Sequence, residues 1–194
     1  LKTVVRLAAR FLDNVIEVNN YPIPQIAEMT RSNRKIGLGV MGWADLLILL
    51  GLPYNSDEAV ELGETLMKFI TDEARRMSME LAAERGPFPN FPGSLYDRTG
   101  SKPVRNATST TIAPTGTISI MAGASSGVEP LFAVSYVRQV LDNDILVEVH
   151  PLFEKIARER GFYSPELMKL IAQHGTVQDI PQVPEDIRRV FVTA

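Results

Sequence analysis

The feature that most constrains the fold is a run of eighteen residues, 113-APTGTISIMAGASSGVEP-130, in which Glu129 carries the one charge. Hydroxyl-bearing residues and glycines crowd its first half, and small residues fill its middle. It directly follows a strand-like run, 107-ATSTTI-112. Small side chains let other groups approach the main chain closely. The stretch therefore predicts a junction from strand to turn to short helix whose available polar groups are backbone amides and hydroxyls.

Apolar residues at helical spacing predict several helices elsewhere in the chain. The first covers residues 1–18, with a predicted buried stripe of Val4, Val5, Ala8, Phe11, Leu12, Val15 and Ile16. The longest should begin after the N-cap Ser56 and end at Arg85 and Gly86, a basic last turn and a C′ glycine. Further helices are predicted at about 43–50, over 151–160, from Ser164-Pro165 to Gly175, and from Pro184.

Strand-like runs are predicted at 35–42, 107–112 and 131–140. Prolines and glycines predict a helix stop at 20–24 and an irregular surface loop over 86–103. Strands that alternate with helices indicate an α/β architecture with partly parallel strands.

Composition narrows the classes of partner. The 194 residues are 45% hydrophobic, enough to bury a core as one domain or as part of a larger one. The net charge of −3 favours neither nucleic acid nor an anionic membrane, and we interpret the basic cluster 31-RSNRK-35 as a solvated loop. The longest apolar run, 46–52, is too short to span a bilayer, so we expect a soluble protein.

The chain has no cysteine. This excludes disulfides, thiolate metal sites and a cysteine nucleophile within these residues, and it is compatible with a cytoplasmic location. The chain opens at Leu1 in a helical pattern and stops within the apolar run 190–194, so we expect it to be a piece of a longer polypeptide.

A glycine motif, 37-GLGVMG-42, matches the dinucleotide-binding pattern G-x-G-x-x-G. The residues before it, 31–36, supply one apolar residue where a buried strand needs four or five. Two interpretations stay open: a nicotinamide or flavin site using Gly37, Gly39 and Gly42, and glycines that let a strand and a helix pack closely. The packing interpretation is favoured.

The turn 114-PTGTIS-119 has a stronger physical case as a binding site. Thr115 can cap a short helix whose first-turn amides lack partners within the helix and lie at the positive end of its dipole. Gly116 leaves room for an anion, and the Thr115, Thr117 and Ser119 hydroxyls can add donors. The turn is therefore a candidate phosphate site without lysine or arginine. On residue types alone, an ordinary capped helix after a strand is the favoured interpretation.

Other candidates for chemistry are weaker. His150 and His174 are isolated in sequence, so no metal site is predicted. The acidic pairs at 57–58 and 72–73 lie on predicted helices and should face water, so we assign no catalytic residue in this chain.

Four stretches together resemble one protein family, in the family's order along the chain: 12-LDNVIEVNNYPIP-24, 34-RKIGLGVMGWADLL-47, 105–132 and 181-PQVPEDIRRVFVTA-194. The sequence resembles the catalytic barrel of ribonucleotide reductase large subunits, most closely the adenosylcobalamin-dependent (class II) branch. The resemblance implies a helix-rich fragment of a ten-stranded α/β barrel. It also implies that residues 1–194 form a single partial domain, the later part of the barrel, without its N-terminal part and its last strand.

The resemblance implies that Pro114, Thr115, Gly116, Thr117 and Ile118, with Ser119 beside them, hold the diphosphate of a ribonucleotide substrate. Oxygen-dependent relatives typically carry Pro-Ser-Glu-Thr-Ser here, so Pro-Thr-Gly-Thr-Ile is more similar to the cobalamin branch. The following 125-SSGVEP-130 matches a family motif that packs against the site. We assign Glu129 no chemistry.

The implied activity is the radical conversion of ribonucleotides, as diphosphates, to deoxyribonucleotides for DNA synthesis, with adenosylcobalamin as the cofactor and a homodimer as one form of the full-length enzyme. That chemistry needs a thiyl radical and a redox pair of cysteines, which this chain lacks. The chain alone is therefore predicted to be inactive. Two alternatives remain: an inert structural module, and a dinucleotide-dependent oxidoreductase using Gly37, Gly39 and Gly42.

Overall fold

The computed structural model describes residues 1–139 and 145–194, and the chain there is rich in helix. The helices are α1 Lys2–Val18, α2 Pro24–Asn33, α3 Trp43–Leu50, α4 Asp57–Arg85, α5 Leu95–Arg98, α6 Gly116–Ala122, α7 Pro151–Glu159, α8 Pro165–His174 and α9 Glu185–Val190. The strands are β1 Ser135–Gln139 and β2 Ile145–Val149. Helices α3, α4, α7, α8 and α9 confirm the predictions made from caps and periodicity.

The chain divides into two compact units. The first comprises Leu1–Gly39 and Gly63–Ile112, and the second Val40–Leu62 and Ala113–Ala194. No helix of the described ranges is long and apolar enough to be a candidate for a membrane span.

In the first unit, α1 buries a face that agrees only in part with the predicted one. Its buried residues are Val5, Ala9, Asp13 and Ile16, whereas Val4, Phe11 and Val15 are exposed. Val5 and Ile16 confirm part of the predicted stripe. The rest was wrong because spacing alone assigned the inward position near the middle to a hydrophobic residue rather than to Asp13.

The sequence analysis also missed α2. Pro24, predicted to stop a helix, occupies the first position of α2, where a missing N–H costs nothing. The basic cluster is therefore largely helical, and its interpretation as a solvated loop was wrong. Arg34 follows α2 with a left-handed φ of 47° and is only 3% exposed.

Arg34 is buried because it pairs with Asp13, whose side chain is fully buried. Asp13 Oδ1 accepts hydrogen bonds from Arg34 Nη2 at 2.8 Å and from Asn106 Nδ2 at 3.0 Å. Arg85 Nη1 donates to Asp13 Oδ2 at 3.2 Å. One carboxylate thus joins α1, the end of α2, the end of α4 and the segment that carries Asn106.

The predicted strands at 35–42 and 107–112 reduce to a short parallel contact. Ile36 N donates to Thr108 O at 3.1 Å, and Leu38 pairs with Thr110 in an isolated parallel bridge. Beside this contact, a Cβ added at Gly37 would lie 2.7 Å from Thr111 Cγ2, and one added at Gly39 would lie 2.9 Å from Thr111 O. Gly37 and Gly39 are therefore glycines because two chain segments pass closely here, which supports the packing interpretation.

In the second unit, β1 and β2 pair antiparallel, with Ser135 opposite Val149, and α8 packs against both strands. The predicted strand over 131–140 is confirmed for 135–139, and its last residue lies outside the described residues. Parallel pairing, which the sequence predicted in part, occurs in the described chain at two isolated bridges, Leu38–Thr110 and Leu131–Thr193. The core of this unit is centred on Phe153, whose ring meets that of Phe191 edge to face at 5.1 Å.

We predict that Asp13→Ala destabilises the protein strongly, because it removes the buried acidic partner of Arg34 and leaves the guanidinium with the half-exposed Glu17. Removing one member of a buried ion pair typically costs about 3–5 kcal/mol. Denaturant unfolding of the variant against wild type measures the change in free energy. Glu84→Ala, which removes the exposed partner of Arg10, is the control and should have little effect. Equal effects of the two substitutions would contradict this role of Asp13.

Candidate functional site

The predicted turn enters a short helix, as expected. Helix α6 starts at Gly116, and Thr115 precedes it with φ 55° and ψ 24°, in the left-handed region. The Thr115 side chain does not cap its own helix, so this part of the prediction was wrong. Its Oγ1 instead accepts a hydrogen bond of 2.7 Å from Gly127 N. The hydroxyl therefore fastens the turn to a following loop.

The first-turn amides of α6 are unpaired and open. Within the described chain, the N–H groups of Gly116, Thr117 and Ile118 donate to no protein acceptor. All three residues are exposed, and a Cβ added at Gly116 would meet no heavy atom within 4 Å. These donors therefore face free space at the positive end of a helix, where an anion is stabilised.

Two other predicted site residues lie differently. Pro114 is exposed at the entry to the turn. Ser119 is only 2% exposed, and its hydroxyl donates to Gly116 O at 3.0 Å and lies 3.0 Å from Ser126 Oγ. Ser119 is thus engaged by the protein, whereas Thr117 keeps an exposed side chain beside the open amides.

The loop that receives Thr115 comprises Ala124–Val128, here called the serine loop. Gly42 N donates to Ser125 O at 2.7 Å, and Ser125 N donates to Asp45 Oδ2 at 2.7 Å. Gly127 has φ 45°, and a Cβ there would lie 2.7 Å from Ala113 O. The start of α3 therefore holds the serine loop, and glycine lets the loop pass close to the backbone before the turn.

These contacts also bear on the dinucleotide interpretation. Three N–H groups around the start of α3 point to the serine loop. Gly42 N lies 2.7 Å from Ser125 O, Trp43 N lies 3.4 Å from Gly127 O, and Asp45 N lies 3.3 Å from Ser125 Oγ. A dinucleotide site needs such amides for the pyrophosphate. Because the serine loop engages these three amides, they are not free to bind a pyrophosphate.

Asp45 has a second close neighbour, His150, at the start of α7. The two side chains approach to 3.0 Å between His150 Nε2 and Asp45 Oδ1, and both are largely buried. Burial lowers the pKa of His150 below its ordinary value, and the Asp45 carboxylate opposes part of that shift.

An open cavity of about 380 Å³ lies beside these residues and is lined by His150, Ser119, Ser125 and Ser126, among others. In the described ranges, no group of three or more His, Cys, Asp or Glu side chains is arranged to hold a metal ion.

The comparisons with known proteins match the whole length of the chain. The family model for the ribonucleotide reductase barrel domain matches residues 1–103 and 94–194. The chain belongs to the ribonucleotide reductase barrel-domain family. A ribonucleotide reductase α subunit of class Id from Actinobacillus ureae has a similar structure, with a TM-score of 0.77 and 25% identity over 97% of this chain and 34% of that one. The expected fold class, a fragment of the α/β barrel, is confirmed.

The sequence relatives of this barrel-domain chain carry reductase names. It is 53% identical over its full length to a vitamin B12-dependent ribonucleoside-diphosphate reductase of Thermoplasma acidophilum, and 50% identical to one of Mycobacterium tuberculosis. It is 29% identical to a ribonucleoside-diphosphate reductase large subunit of Danio rerio. The chain spans about a quarter of the length of these relatives, 25%, 28% and 27% in turn.

The barrel-domain structure brings Asp45 to the serine loop, and the sequence analysis did not single out this residue. Its only local signal was an acidic residue in the first turn of α3, which is common at helix starts. The 125–130 segment, by contrast, was expected to pack against the site. Its contacts from Ser126 to Ser119 and from Gly127 to Thr115 are of that kind.

We predict that His150 makes stability depend on pH in the acid range. Its folded-state pKa is below the ordinary 6.5, so between that lowered value and about pH 6.5 the unfolded chain binds a proton that the folded chain does not. Stability is then complete above about pH 6.5 and falls as the pH drops below it. Thermal unfolding of the full-length protein across pH 5–8 should show a smaller acid-side loss for His150→Gln than for wild type. Equal losses would contradict this assignment.

Proposed function

We propose that the full-length protein containing this chain is an adenosylcobalamin-dependent ribonucleoside-diphosphate reductase that makes deoxyribonucleotides for DNA synthesis. Two relatives at 53% and 50% identity over the whole chain carry the name vitamin B12-dependent ribonucleoside-diphosphate reductase. Identity to reductase large subunits whose names do not mention the vitamin is lower, at 29–31%. The cobalamin-dependent class is therefore favoured over the oxygen-dependent one.

Within that enzyme, the part of this chain is to hold the substrate diphosphate at the turn Pro114–Ser119. The observation that carries the proposal is the set of three unpaired, exposed amides of Gly116, Thr117 and Ile118, with open space at Gly116. Hydrogen bonds to a charged acceptor contribute about 1.5–3 kcal/mol each. Three such bonds can hold a phosphate group without a lysine or arginine.

The six residues of the proposed site differ in their contributions. Gly116, Thr117 and Ile118 donate their amides, and the Thr117 hydroxyl adds a donor. Thr115 and Ser119 contact the serine loop through their side chains, so they fix the turn. Pro114 stiffens its entry, because its ring restricts φ.

Adenosylcobalamin supplies the radical chemistry of the proposed reaction. In the described residues, no group of three or more His, Cys, Asp or Glu side chains is arranged to hold a metal ion, so none of them marks a site for its cobalt. We assign no residue of this chain to the cofactor, and the part proposed for the chain is confined to binding and orienting the substrate.

The proposed partners follow from the same family. A ribonucleotide is the substrate, and we propose a homodimer as the form of the full-length enzyme. The net charge of −3 supports the absence of nucleic-acid and membrane partners, and the absence of cysteine from the chain supports a cytoplasmic location.

We predict that the 194-residue chain alone gives no turnover when supplied with a ribonucleoside diphosphate, adenosylcobalamin and a dithiol. The reaction requires protein thiols, and the chain contains none. Deoxyribonucleotide formation is measured by chromatography, with the full-length enzyme as the positive control. Turnover by the chain alone would contradict the need for cysteines from elsewhere in the protein.

We predict that Gly116→Val in the full-length enzyme weakens binding of a nucleoside diphosphate by at least tenfold, with Gly116→Ala in between. The added carbons fill the space in front of the open amides. A Cβ at this position meets no protein atom within 4 Å, so a loss in Gly116→Ala is not caused by a clash of the added methyl group with the fold. Equilibrium binding of the diphosphate and of the corresponding nucleoside, which has no phosphate, separates phosphate contacts from the rest.

Ile120→Ala, an exposed position on the same helix, is the matched control and should keep the wild-type affinity. Unchanged diphosphate affinity in Gly116→Val would contradict the proposed site.

A further inference from the structure

We propose that Asp45 is a positioning residue for the substrate diphosphate: its carboxylate fixes the serine loop, and the loop holds Thr115 in the conformation that keeps the Gly116–Ile118 amides open. The inference rests on the proposed function of the turn. Asp45 is 80 residues distant in sequence from Ser125 and makes no contact with the open amides themselves.

The first step is the backbone of Thr115. A φ of 55° is disfavoured for a β-branched residue, so this conformation persists only where surrounding contacts impose it. The contact that the structure provides is the 2.7 Å hydrogen bond from Gly127 N to Thr115 Oγ1. In the next turn, Ser126 Oγ lies 3.0 Å from Ser119 Oγ. The serine loop therefore contacts the turn at two points.

The second step is the attachment of the serine loop. Asp45 and Ser125 form a reciprocal pair: Ser125 N donates to Asp45 Oδ2 at 2.7 Å, and Asp45 N lies 3.3 Å from Ser125 Oγ. Gly42 N adds a 2.7 Å bond to Ser125 O, and Tyr54 Oη donates to Val128 O at 2.8 Å. Of these contacts, the one to Asp45 Oδ2 is accepted by a carboxylate oxygen, and hydrogen bonds to carboxylates are about twice as strong as those between neutral groups.

The third step is the fit of a carboxylate to this position. Asp45 lies in the first turn of α3, where the helix dipole favours a negative charge. The side chain is 18% exposed, and His150 Nε2 contacts its other oxygen at 3.0 Å. The hydrogen bond from Ser125 N therefore orients the carboxylate toward the serine loop, and His150 packs against its other side. An amide in its place would lose the charge and could present an N–H group to Ser125 N–H.

The test compares Asp45→Asn with wild type in the full-length enzyme. We expect the variant to bind a nucleoside diphosphate about tenfold more weakly, the difference between a charge-assisted and a neutral hydrogen bond. Binding of the nucleoside without phosphates should be unchanged, and kcat at saturating substrate should change less than KM. Asp57→Asn, an exposed acidic residue in the first turn of α4, is the matched control.

A double-mutant cycle separates positioning from a general loss of structure. Thr115→Val removes the hydroxyl that accepts from Gly127. If Asp45 acts through Thr115, the double variant should bind the diphosphate with the same affinity as whichever single variant has the lower affinity. Additive losses, or an equal loss for nucleoside and nucleotide, would overturn the inference.

Two further outcomes keep the proposals distinct. Where Gly116→Val loses diphosphate affinity but Asp45→Asn does not, the positioning role is wrong and the proposed site stands. Where Gly116→Val has no effect, the proposed site itself is wrong. Should Asp45→Asn fail to fold, the cycle is measured with Asp45→Ser, which also removes the carboxylate that accepts from Ser125 N. A phosphate-specific loss of about tenfold is then expected, and its absence overturns the inference.

Discussion

The hydrogen bond from Gly127 N to Thr115 Oγ1 is the interaction on which the proposed site depends. It holds a β-branched residue at φ 55°, and that backbone conformation sets the direction in which the next three amides leave the turn. Gly127 can make this bond because it has no Cβ, which would otherwise lie 2.7 Å from Ala113 O. Gly127 is thus a glycine for a steric reason: two backbone segments pass close to one another at this position.

Each compact unit contains a carboxylate that organises irregular backbone. In the first, Asp13 gathers Arg34, Arg85 and Asn106 and so ties helix ends to an extended segment. In the second, Asp45 accepts from Ser125 N and fixes the serine loop. Both carboxylates lie within helices that are otherwise apolar on their inner faces. Specific pairing at these two positions supplies an orientation that apolar packing does not, because hydrophobic contacts are not directional.

A site made of main-chain donors suits this arrangement. Amides at a helix start are oriented by the backbone, so they lose no side-chain rotamer freedom when a ligand binds. The direction of these amides therefore depends on the backbone conformation of the turn. The contacts of Thr115 and Ser119 with the serine loop maintain that conformation. In the proposed site, such donors would let a segment without a basic residue bind an anion in a chain of net charge −3.

Much of the fold was predictable from local patterns, because caps and periodicity are local properties. The limits of α4 followed from the acidic first turn at Asp57 and the glycine after Arg85, and α8 followed from Pro165 and Gly175. Helix α2 was missed because a proline can end one helix or begin the next, and the sequence pattern does not distinguish the two. The buried face of α1 was predicted only in part, at Val5 and Ile16, because the rest depends on the pairing of Asp13 with Arg34, 21 residues later.

The turn itself was predicted from its proline, glycine and hydroxyl-bearing residues. The family of the chain was predicted from its resemblance to ribonucleotide reductases. The left-handed backbone at Thr115 and the role of Asp45 were not, since both depend on contacts with the serine loop. Contacts between residues as far apart as Asp45 and Ser125 leave no local signature.

The most direct test of the central claim is a crystal structure of the full-length protein with a nucleoside diphosphate bound. The account predicts phosphate oxygens within about 2.7–3.2 Å of the amide nitrogens of Gly116, Thr117 and Ile118, with Thr115 still left-handed. A diphosphate held by basic side chains elsewhere, with these three amides facing solvent, would contradict it.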